Sequence, residues 1–203
     1  MVEGLRFQTD RYTVRVMKLV LHTYGDPVLR TPAQTIEAVT PDIRSLAEEM
    51  IRTMHAESGI GLAAQQVGRT DAICVVDLPA AMDQDEDDTP LNPDCDMPMV
   101  LLNPVVEPDG DEEWTREEGC LSFPEINGKI SRAWAIRLRY MTLDGALVDR
   151  EVQGMLARVI QHEVDHLNGV LFIDRMSHVK KIALKGRLKR LRQETLDHLE
   201  ATA

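Results

Sequence analysis

The segment GMLARVIQHEVDHL, residues 154–167, carries the strongest pattern in the chain. Its apolar residues recur at helical spacing, so the segment predicts one helix. The helix contains His-Glu-x-x-His, which places His162 and His166 four residues apart on one face. Two imidazoles at this spacing can bind one metal ion, and Glu163 beside them can act as a base toward water. A hydrogen-bonded histidine pair without a metal is the alternative interpretation.

This pattern is typical of zinc peptidases. The residue that provides the third metal ligand distinguishes one class of metal-dependent hydrolase from another. In the metzincin extension the last histidine position is Phe172, which cannot ligate. A thermolysin-like glutamate on a following helix has only Glu194 as a candidate, among many cations. A thiolate remains as the natural third ligand. Cys74 lies in an apolar strand-like run and Cys95 in an acidic loop, so Cys120, next to glycine in a polar loop, is the cysteine least explained by packing.

Helices and strands are predicted in blocks around this helix. Further helices are predicted over residues 40–57 and 177–199, and strands over 72–77, 99–106, 135–142 and 146–153. The last two strands are joined by an Asp-Gly turn, which is typical of a hairpin. The order lacks a repeating strand–helix–strand rhythm. We therefore expect an α+β fold in which antiparallel or mixed β-sheets pack around the central motif helix, with a C-terminal helix.

Length and composition indicate one globular domain. The chain has 203 residues, 43% hydrophobic and 28% charged, which excludes a disordered or fibrous protein. It contains neither an apolar run long enough to span a membrane nor a secretory signal. Three cysteines, an odd number, indicate a reducing compartment. We therefore expect a cytoplasmic protein that has no membrane contact and is monomeric.

The charge is unevenly distributed along the chain. The net charge of −11 argues against a general polyanion binder. Residues 77–118 contain fifteen acidic residues and one basic one, and within them 80–98 lack periodicity, which predicts a mobile acidic insertion loop. Residues 175–192 contain eight basic residues and no acidic one. The overall charge therefore conceals a basic C-terminal helix.

Three segments resemble the signature motifs of the peptide deformylases and occur in the order found in that family. They are GIGLAAQQ at 59–66, EGCLS at 118–122 and QHEVDHL at 161–167. YGDPVLR at 24–30 also resembles the family's N-terminal segment, so the resemblance covers roughly residues 18–175. It implies a hydrolase that removes the formyl group from N-formylmethionine at the start of new polypeptides and releases formate. It also implies one deformylase-like domain over 1–203, with 1–16 as an N-terminal extension.

The resemblance implies a metal site and a set of catalytic groups. The ligands of one divalent ion per chain would be Cys120, His162 and His166. The ion would be Fe²⁺, with Zn²⁺, Ni²⁺ or Co²⁺ able to take its place. Glu163 would act as general base and then as general acid. The Gln66 amide and the Leu121 backbone N–H would stabilise the oxyanion.

The same resemblance implies where the peptide substrate binds. Backbone groups of Ile60 and Gly61 would pair with the substrate as an added strand, and the loop at Gly119 would line its channel. The alternatives are that Ile60 and Gly61 belong only to a loop that ends a helix, and that Gly119 belongs only to a turn. Two positions depart from the family pattern. Arg158 stands where some members carry an aliphatic residue of the methionine pocket, and Asn127 where some carry a substrate-contacting arginine, so neither is assigned a substrate role.

Other interpretations remain open at this stage. A metallopeptidase would use the same helix with a third ligand other than Cys120. A catalytically silent homologue would keep the fold as a ribosome-associated module, although the intact motifs argue against this. Glu118 could be only a solvated acid. For the basic helix we expect contact with ribosomal RNA, through Lys180, Lys181, Lys185, Arg187, Lys189 and Arg190. A solvated helix packed through Val179, Ile182 and Leu188 is the alternative.

Overall fold

The structure is a computed structural model that describes residues 19–202, so the extension predicted over 1–16 lies outside the described residues. The helices are α1 (Pro41–Ala56), α2 (Gly154–Leu167), α3 (Phe172–Arg175) and α4 (His178–Thr202). The strands are β1 (Gly61–Ala63), β2 (Ile73–Val76), β3 (Met99–Pro108), β4 (Glu113–Glu118), β5 (Gly128–Ala133), β6 (Ala135–Met141) and β7 (Leu147–Gln153). Short 3-10 turns lie at Pro27–Arg30, Ala64–Val67 and Ala80–Met82. This is the predicted α+β class.

The strands form two antiparallel sheets. The larger has the order β1-β2-β3-β6-β7, and the smaller pairs β4 with β5. The hairpin at Gly145 joins β6 to β7 as predicted. The predicted interruption at Pro104 is a register shift between Leu102 and Val105, and β3 continues past it because Val105 pairs again with Arg139 of β6.

The larger sheet lies between two helices. β2 is buried along its whole length, and its alternate residues face opposite sides. Val75 belongs to the apolar cluster that includes α1, whereas Cys74 and Val76 belong to the cluster that includes α2. Burial on both faces explains why this strand is a continuous apolar run rather than an alternating one. The motif helix is therefore held against the sheet from within the core.

The ends of α1 follow from local chemistry. The Thr40 side chain accepts a hydrogen bond from the N–H of Ile43 at 3.3 Å, and Pro41 occupies the first helical position, where no N–H is needed. After the helix, Ser58 adopts a positive φ of 57° and the chain turns toward β1. The predicted helix over 40–57 is confirmed within one residue at each end.

The small sheet was not predicted. β4 has the sequence EWTREE, in which four residues are exposed and only Glu118 is buried. Such a charged strand lacks the apolar alternation that identifies strands in a sequence. Its partner β5 does alternate, with Gly128, Ile130 and Arg132 buried. One of those inward positions carries a charge, which also obscures the pattern.

The predicted packing of α4 is wrong at its N-terminal end. Val179 is 78% exposed and Ile182 is 60% exposed. The predicted packing of Leu188 is confirmed, and it packs together with Leu184 and Leu191, which lie on the same face and join the cluster around α3. Val179 and Ile182 fall outside that line, so they face solvent. Among residues 19–202, no helix combines the length and hydropathy that a bilayer crossing requires.

The acidic segment 80–98 connects β2 to β3 and is anchored near the start of α2. Asp83 and Asn92 are both buried, and the Asn92 amide donates to the Asp83 carboxylate at 2.5 Å. The Asn92 amide oxygen accepts the backbone N–H of Gln153 at 3.0 Å. These bonds tie the segment to the end of β7.

Candidate metal centre

The three predicted metal ligands lie together between β4 and α2. Cys120 follows β4, while His162 and His166 project from successive turns of α2. Their ligand atoms all lie within 4.8 Å of one another, and Cys120 Sγ is 3.2 Å from His166 Nε2. Cys120 is half-buried and the histidines are 8% and 1% exposed. In the described part of the chain, this is the only such cluster of histidine, cysteine or carboxylate ligands.

The chemistry of these three side chains fits a divalent transition metal. One thiolate and two imidazoles suit iron, zinc, nickel and cobalt, and leave a further position for water. The Nδ1 atom of His162 hydrogen-bonds to Glu118, which orients the ring and leaves Nε2 as its ligand atom. Cys74 is fully buried in the sheet, and Cys95 lies beside Arg150, so neither joins the cluster. Phe172 packs near the His162 ring at a centroid distance of 6.1 Å.

The two histidines differ in their affinity for protons. Burial lowers the pKa of His166 well below its usual value. Burial also works against protonation of His162, but hydrogen bonds with Cys120 and Glu118 outweigh it and raise the pKa of His162 to about 10. A ligating imidazole nitrogen must be unprotonated, so a proton competes with a metal ion more strongly at His162 than at His166.

Gln66 is fixed next to the cluster. It lies in the 3-10 turn that follows β1 and is 1% exposed. Its side-chain oxygen accepts the backbone N–H of Ala63 at 2.8 Å, which directs the amide nitrogen toward Cys120 Sγ at 3.5 Å. Leu121 follows Cys120 directly and lines the adjoining cavity. The two predicted oxyanion donors thus flank the ligand thiol.

Glu163 is a buried carboxyl group with a free acceptor. It is 4% exposed, and its Oε2 atom has no hydrogen-bond partner among residues 19–202. Burial raises its pKa to about 7. Gly61 passes so close that a Cβ atom there would collide with the Glu163 carboxylate and with Val159. Glycine at position 61 is therefore required to let β1 approach the acid.

A cavity of about 700 Å³ opens onto these groups. Every predicted substrate-binding residue, namely Ile60, Gly61 and Gly119, lines it. Its apolar walls include Leu21, Met82, Phe123, Met155 and Val159, and five carboxylates also line it, namely Glu57, Glu117, Glu118, Glu125 and Glu163. A narrow chain that carries an apolar side chain fits such a site.

Glu118 is not the solvated acid of the simpler interpretation. It is 8% exposed and binds three positively charged or protonatable groups. Arg132 donates to both of its oxygens at 2.7 and 2.9 Å, Arg158 donates at 2.5 Å, and His162 lies at 3.0 Å. Burial opposes ionisation of Glu118, but hydrogen bonds from His162 and Arg132 outweigh it and lower its pKa to about 2.

The charged network continues behind the motif helix. Arg132 Nη1 donates to Asp165 at 2.8 Å, and Arg175 contacts both oxygens of Asp165 at 2.5 Å. Sequence reasoning missed this network because its members come from β4, β5, α2 and α3. The one feature of the sequence that could have indicated this network is Asp165, an acidic residue inside the motif that is not one of the ligands.

The two departures from the family pattern both lie at the cavity. Arg158 is 4% exposed, yet it is a lining residue. Asn127 is exposed, and its side-chain oxygen lies so close to Gly119 that a Cβ there would touch it. Neither side chain resembles the family residue it replaces.

Comparison with known proteins gives a consistent result. A profile of the polypeptide deformylase family matches residues 18–182. The peptide deformylase of Opitutus terrae is 45% identical over 88% of this chain and 95% of its own, and that of Salinibacter ruber is 42% identical over 86% and 89%. Among solved structures, the Thermotoga maritima peptide deformylase superposes with a TM-score of 0.69 at 37% identity, covering 79% of this chain and 99% of its own. The Synechococcus elongatus peptide deformylase in complex with actinonin has a TM-score of 0.72 at 36% identity, covering 83% and 87%.

Proposed function

The chain belongs to the polypeptide deformylase family, and from this premise we propose that it removes the formyl group from N-formylmethionine at the start of newly synthesised polypeptides. As a member of this family it is a metal-dependent hydrolase that acts on a linear amide. The observation that carries the proposal is the free acceptor of Glu163 beside the cluster of Cys120, His162 and His166, at the wall of a cavity with room for a peptide end.

Cys120, His162 and His166 would hold one divalent ion, which we assign as Fe²⁺, with Zn²⁺, Ni²⁺ or Co²⁺ as substitutes. When bound, the ion would polarise the attacking water and the formyl carbonyl. Glu118 supports this site by holding the His162 ring through Nδ1.

Glu163 would move the proton that the reaction releases. Its Oε2 atom takes a proton as water attacks the formyl carbon, and delivers that proton to the amine nitrogen as the C–N bond breaks. Formate and a free amino terminus are the products. A raised carboxyl pKa suits both halves of this transfer, since the group must accept and then donate near neutral pH.

Gln66 and Leu121 would stabilise the negative oxygen that forms during attack. The Gln66 amide is held by Ala63, so its N–H groups are oriented before substrate arrives. The N–H of Leu121 lies beside the ligand thiol in the same loop. Donors fixed in advance act without reorganisation, which makes them effective in the transition state.

The peptide main chain would lie along β1. This strand is at the edge of the larger sheet, so one of its sides is not paired with another strand. An extended peptide can add to such an edge beside Ile60 and Gly61, in the cavity that Gly119 also lines. The apolar walls would take the methionine side chain.

Release of formate tests this function directly. Under anaerobic conditions, the metal-loaded protein should release formate from formyl-Met-Ala-Ser and leave acetyl-Met-Ala-Ser intact. An absence of formate release from protein that contains stoichiometric Fe²⁺ or Ni²⁺ would refute it.

We also propose that the protein works as a cytoplasmic monomer and contacts the ribosome through α4. The cations concerned are Lys180, Lys181, Lys185, Arg187, Lys189 and Arg190. All but Lys181 are exposed, and they lie together on one helix. Phosphate backbones attract such a cluster, and the substrate emerges at the ribosome.

A further inference from the structure

We propose that Arg158 is a positioning residue that weakens the hold of Glu118 on His162. In doing so it lowers the affinity of the site for its metal ion and makes that ion a stronger electrophile. The inference rests on the proposed function only in that the ion is the one the hydrolase uses.

Arg158 is fixed at Glu118 by several contacts. It lies one helical turn before His162 and is 4% exposed. Nη1 donates to the Glu118 carboxylate at 2.5 Å and to the Ile130 carbonyl at 3.2 Å, and Nη2 donates to the Trp114 carbonyl. The guanidinium also lies 5.1 Å from the centroid of the Trp114 ring. The group therefore cannot turn away from the carboxylate without losing these contacts.

The Glu118 carboxylate accepts more hydrogen bonds from guanidinium groups than from His162. Its Oε1 atom accepts from Arg132 and Arg158, and its Oε2 atom accepts from Arg132 and His162. Three of these four contacts are therefore with guanidinium groups. A carboxylate already neutralised in this way attracts the Nδ1 proton of His162 less strongly. The imidazole then gives less electron density to a metal at its other nitrogen.

Arg158 also changes the charge around the site. Without it, the carboxylates of Glu118 and Asp165 balance the guanidinium groups of Arg132 and Arg175. Arg158 adds one positive charge to this group, and among the described residues the one carboxylate with which it forms an ion pair is Glu118, which Arg132 already pairs with. A nearby positive charge opposes binding of a dication and favours the anionic oxygen that forms during catalysis.

Arg158 could instead serve only to tie β4 to α2. The two roles predict opposite changes in metal affinity. A purely mechanical role means that loss of the contacts loosens the ligands and weakens metal binding. The proposed electrostatic role means that loss of the charge strengthens metal binding.

The test uses Arg158→Met, which keeps the length of the side chain without its charge, and Arg158→Lys, which keeps the charge. The dissociation constant for Co²⁺ is measured by competition with a chelator, and the visible spectrum of the Co²⁺ protein is recorded. We expect Arg158→Met to bind Co²⁺ about tenfold more tightly, with a shifted absorption band, and Arg158→Lys to resemble the wild type. For formyl-Met-Ala-Ser, kcat should fall in Arg158→Met while KM stays within about twofold.

Arg116→Met is the matched control. Arg116 also lies over the Trp114 ring, at 4.4 Å, but it is exposed and does not contact Glu118. Its Co²⁺ affinity should be unchanged. Unchanged or weaker Co²⁺ binding by folded Arg158→Met would overturn the proposal. If Met does not fold, Arg158→Gln, which keeps two donors, replaces it with the same expected direction. Because Co²⁺ binding needs no substrate, this result stands apart from failure of wild-type deformylation.

Discussion

Glu163 bears the proposed proton transfer alone, because no other carboxylate in the described residues is buried with an unpartnered oxygen. Glu163→Gln keeps the shape of the side chain and leaves all three ligands in place. We expect unchanged metal content and a fall in kcat of about 10²–10⁴-fold. Plasma emission measures the metal content, and formate release measures kcat. Turnover near the wild-type level with metal bound would place the base elsewhere, and the exposed Glu113→Gln serves as control.

Substitution of each cysteine in turn distinguishes the proposed metal ligand, Cys120, from the other two cysteines. Cys120→Ala should lose most of its bound metal, since the remaining two imidazoles hold a dication weakly. Cys74→Ala removes a fully buried sulfur and should lower stability by about 1 kcal/mol without changing metal content. Cys95→Ala should leave both unchanged. Metal analysis of protein prepared without oxygen checks all three, and full occupancy in Cys120→Ala would exclude thiolate ligation.

The same thiolate makes the choice of metal testable. Fe²⁺ and its sulfur ligand are both oxidisable, whereas Ni²⁺ is stable in air. The iron form should therefore lose activity faster in aerated buffer than the nickel form. Cys120 is only half-buried, so oxygen can reach it. Equal lifetimes would count against iron as the working metal.

At the scale of elements, Asp174 joins α3 to the 3-10 turn that contains Arg30. Its carboxylate accepts the N–H of Leu171 at 2.9 Å and pairs with Arg30. Partial burial works against ionisation, but the hydrogen bonds from Arg30 and Leu171 outweigh it and lower the pKa of Asp174. A lowered carboxyl pKa stabilises the fold above the unfolded pKa of about 3.9, and this gain is lost as pH falls through the folded value.

Asp174→Asn should therefore be less stable than the wild type at pH 6, by about 0.2–1 kcal/mol because the pair is partly exposed. The difference should shrink as the pH falls below about 3.9 toward the lowered pKa of the folded protein, so it should be smaller at pH 3. Urea unfolding of the metal-free proteins at both values measures it. An equal difference at both pH values would mean that the lost helix cap, rather than the charge, is responsible.

The elements with strong periodicity were predictable from sequence, and the elements built from charged residues were not. α1 and α2 have apolar faces and clear ends, so both were predicted almost to the residue. β4 was missed because its charged side chains satisfy one another or face solvent. The ligands were predictable because they sit in short motifs. The Glu118 network was not, since Arg132 becomes its partner only through pairing of β4 with β5.

At the scale of the whole molecule, α4 is both a packing element and a charged surface. Leu184 and Thr195 are buried, and Thr195 shares a hydroxyl hydrogen bond with Thr23 at 2.6 Å. Truncation after Ser177 would therefore expose core residues as well as remove charge. Substitution of the exposed cations is the sharper test of ribosome contact.

Replacing Lys180, Lys185, Lys189 and Arg190 together with Gln should weaken salt-sensitive co-sedimentation with ribosomes. Hydrolysis of formyl-Met-Ala-Ser should stay within about twofold, because none of the four lines the cavity. The slope of binding against salt should fall, since fewer counterions are released. Four similar changes on the acidic segment, for example Asp85→Asn with its neighbours, are the control. Undiminished binding at low salt would leave α4 with packing alone.

The uneven distribution of charge also affects how the molecule is oriented when it approaches a polyanion. Eight positive charges lie within residues 175–192, and the rest of the chain is more negative than the net −11. Such a body is an electric dipole, and near a polyanion it experiences a torque before contact, within a Debye length of about 8 Å. Arg187 of α4 donates to the carbonyl of Glu125, a residue that lines the cavity. A molecule that approaches a polyanion with α4 leading therefore arrives with its cavity beside the surface that attracted it.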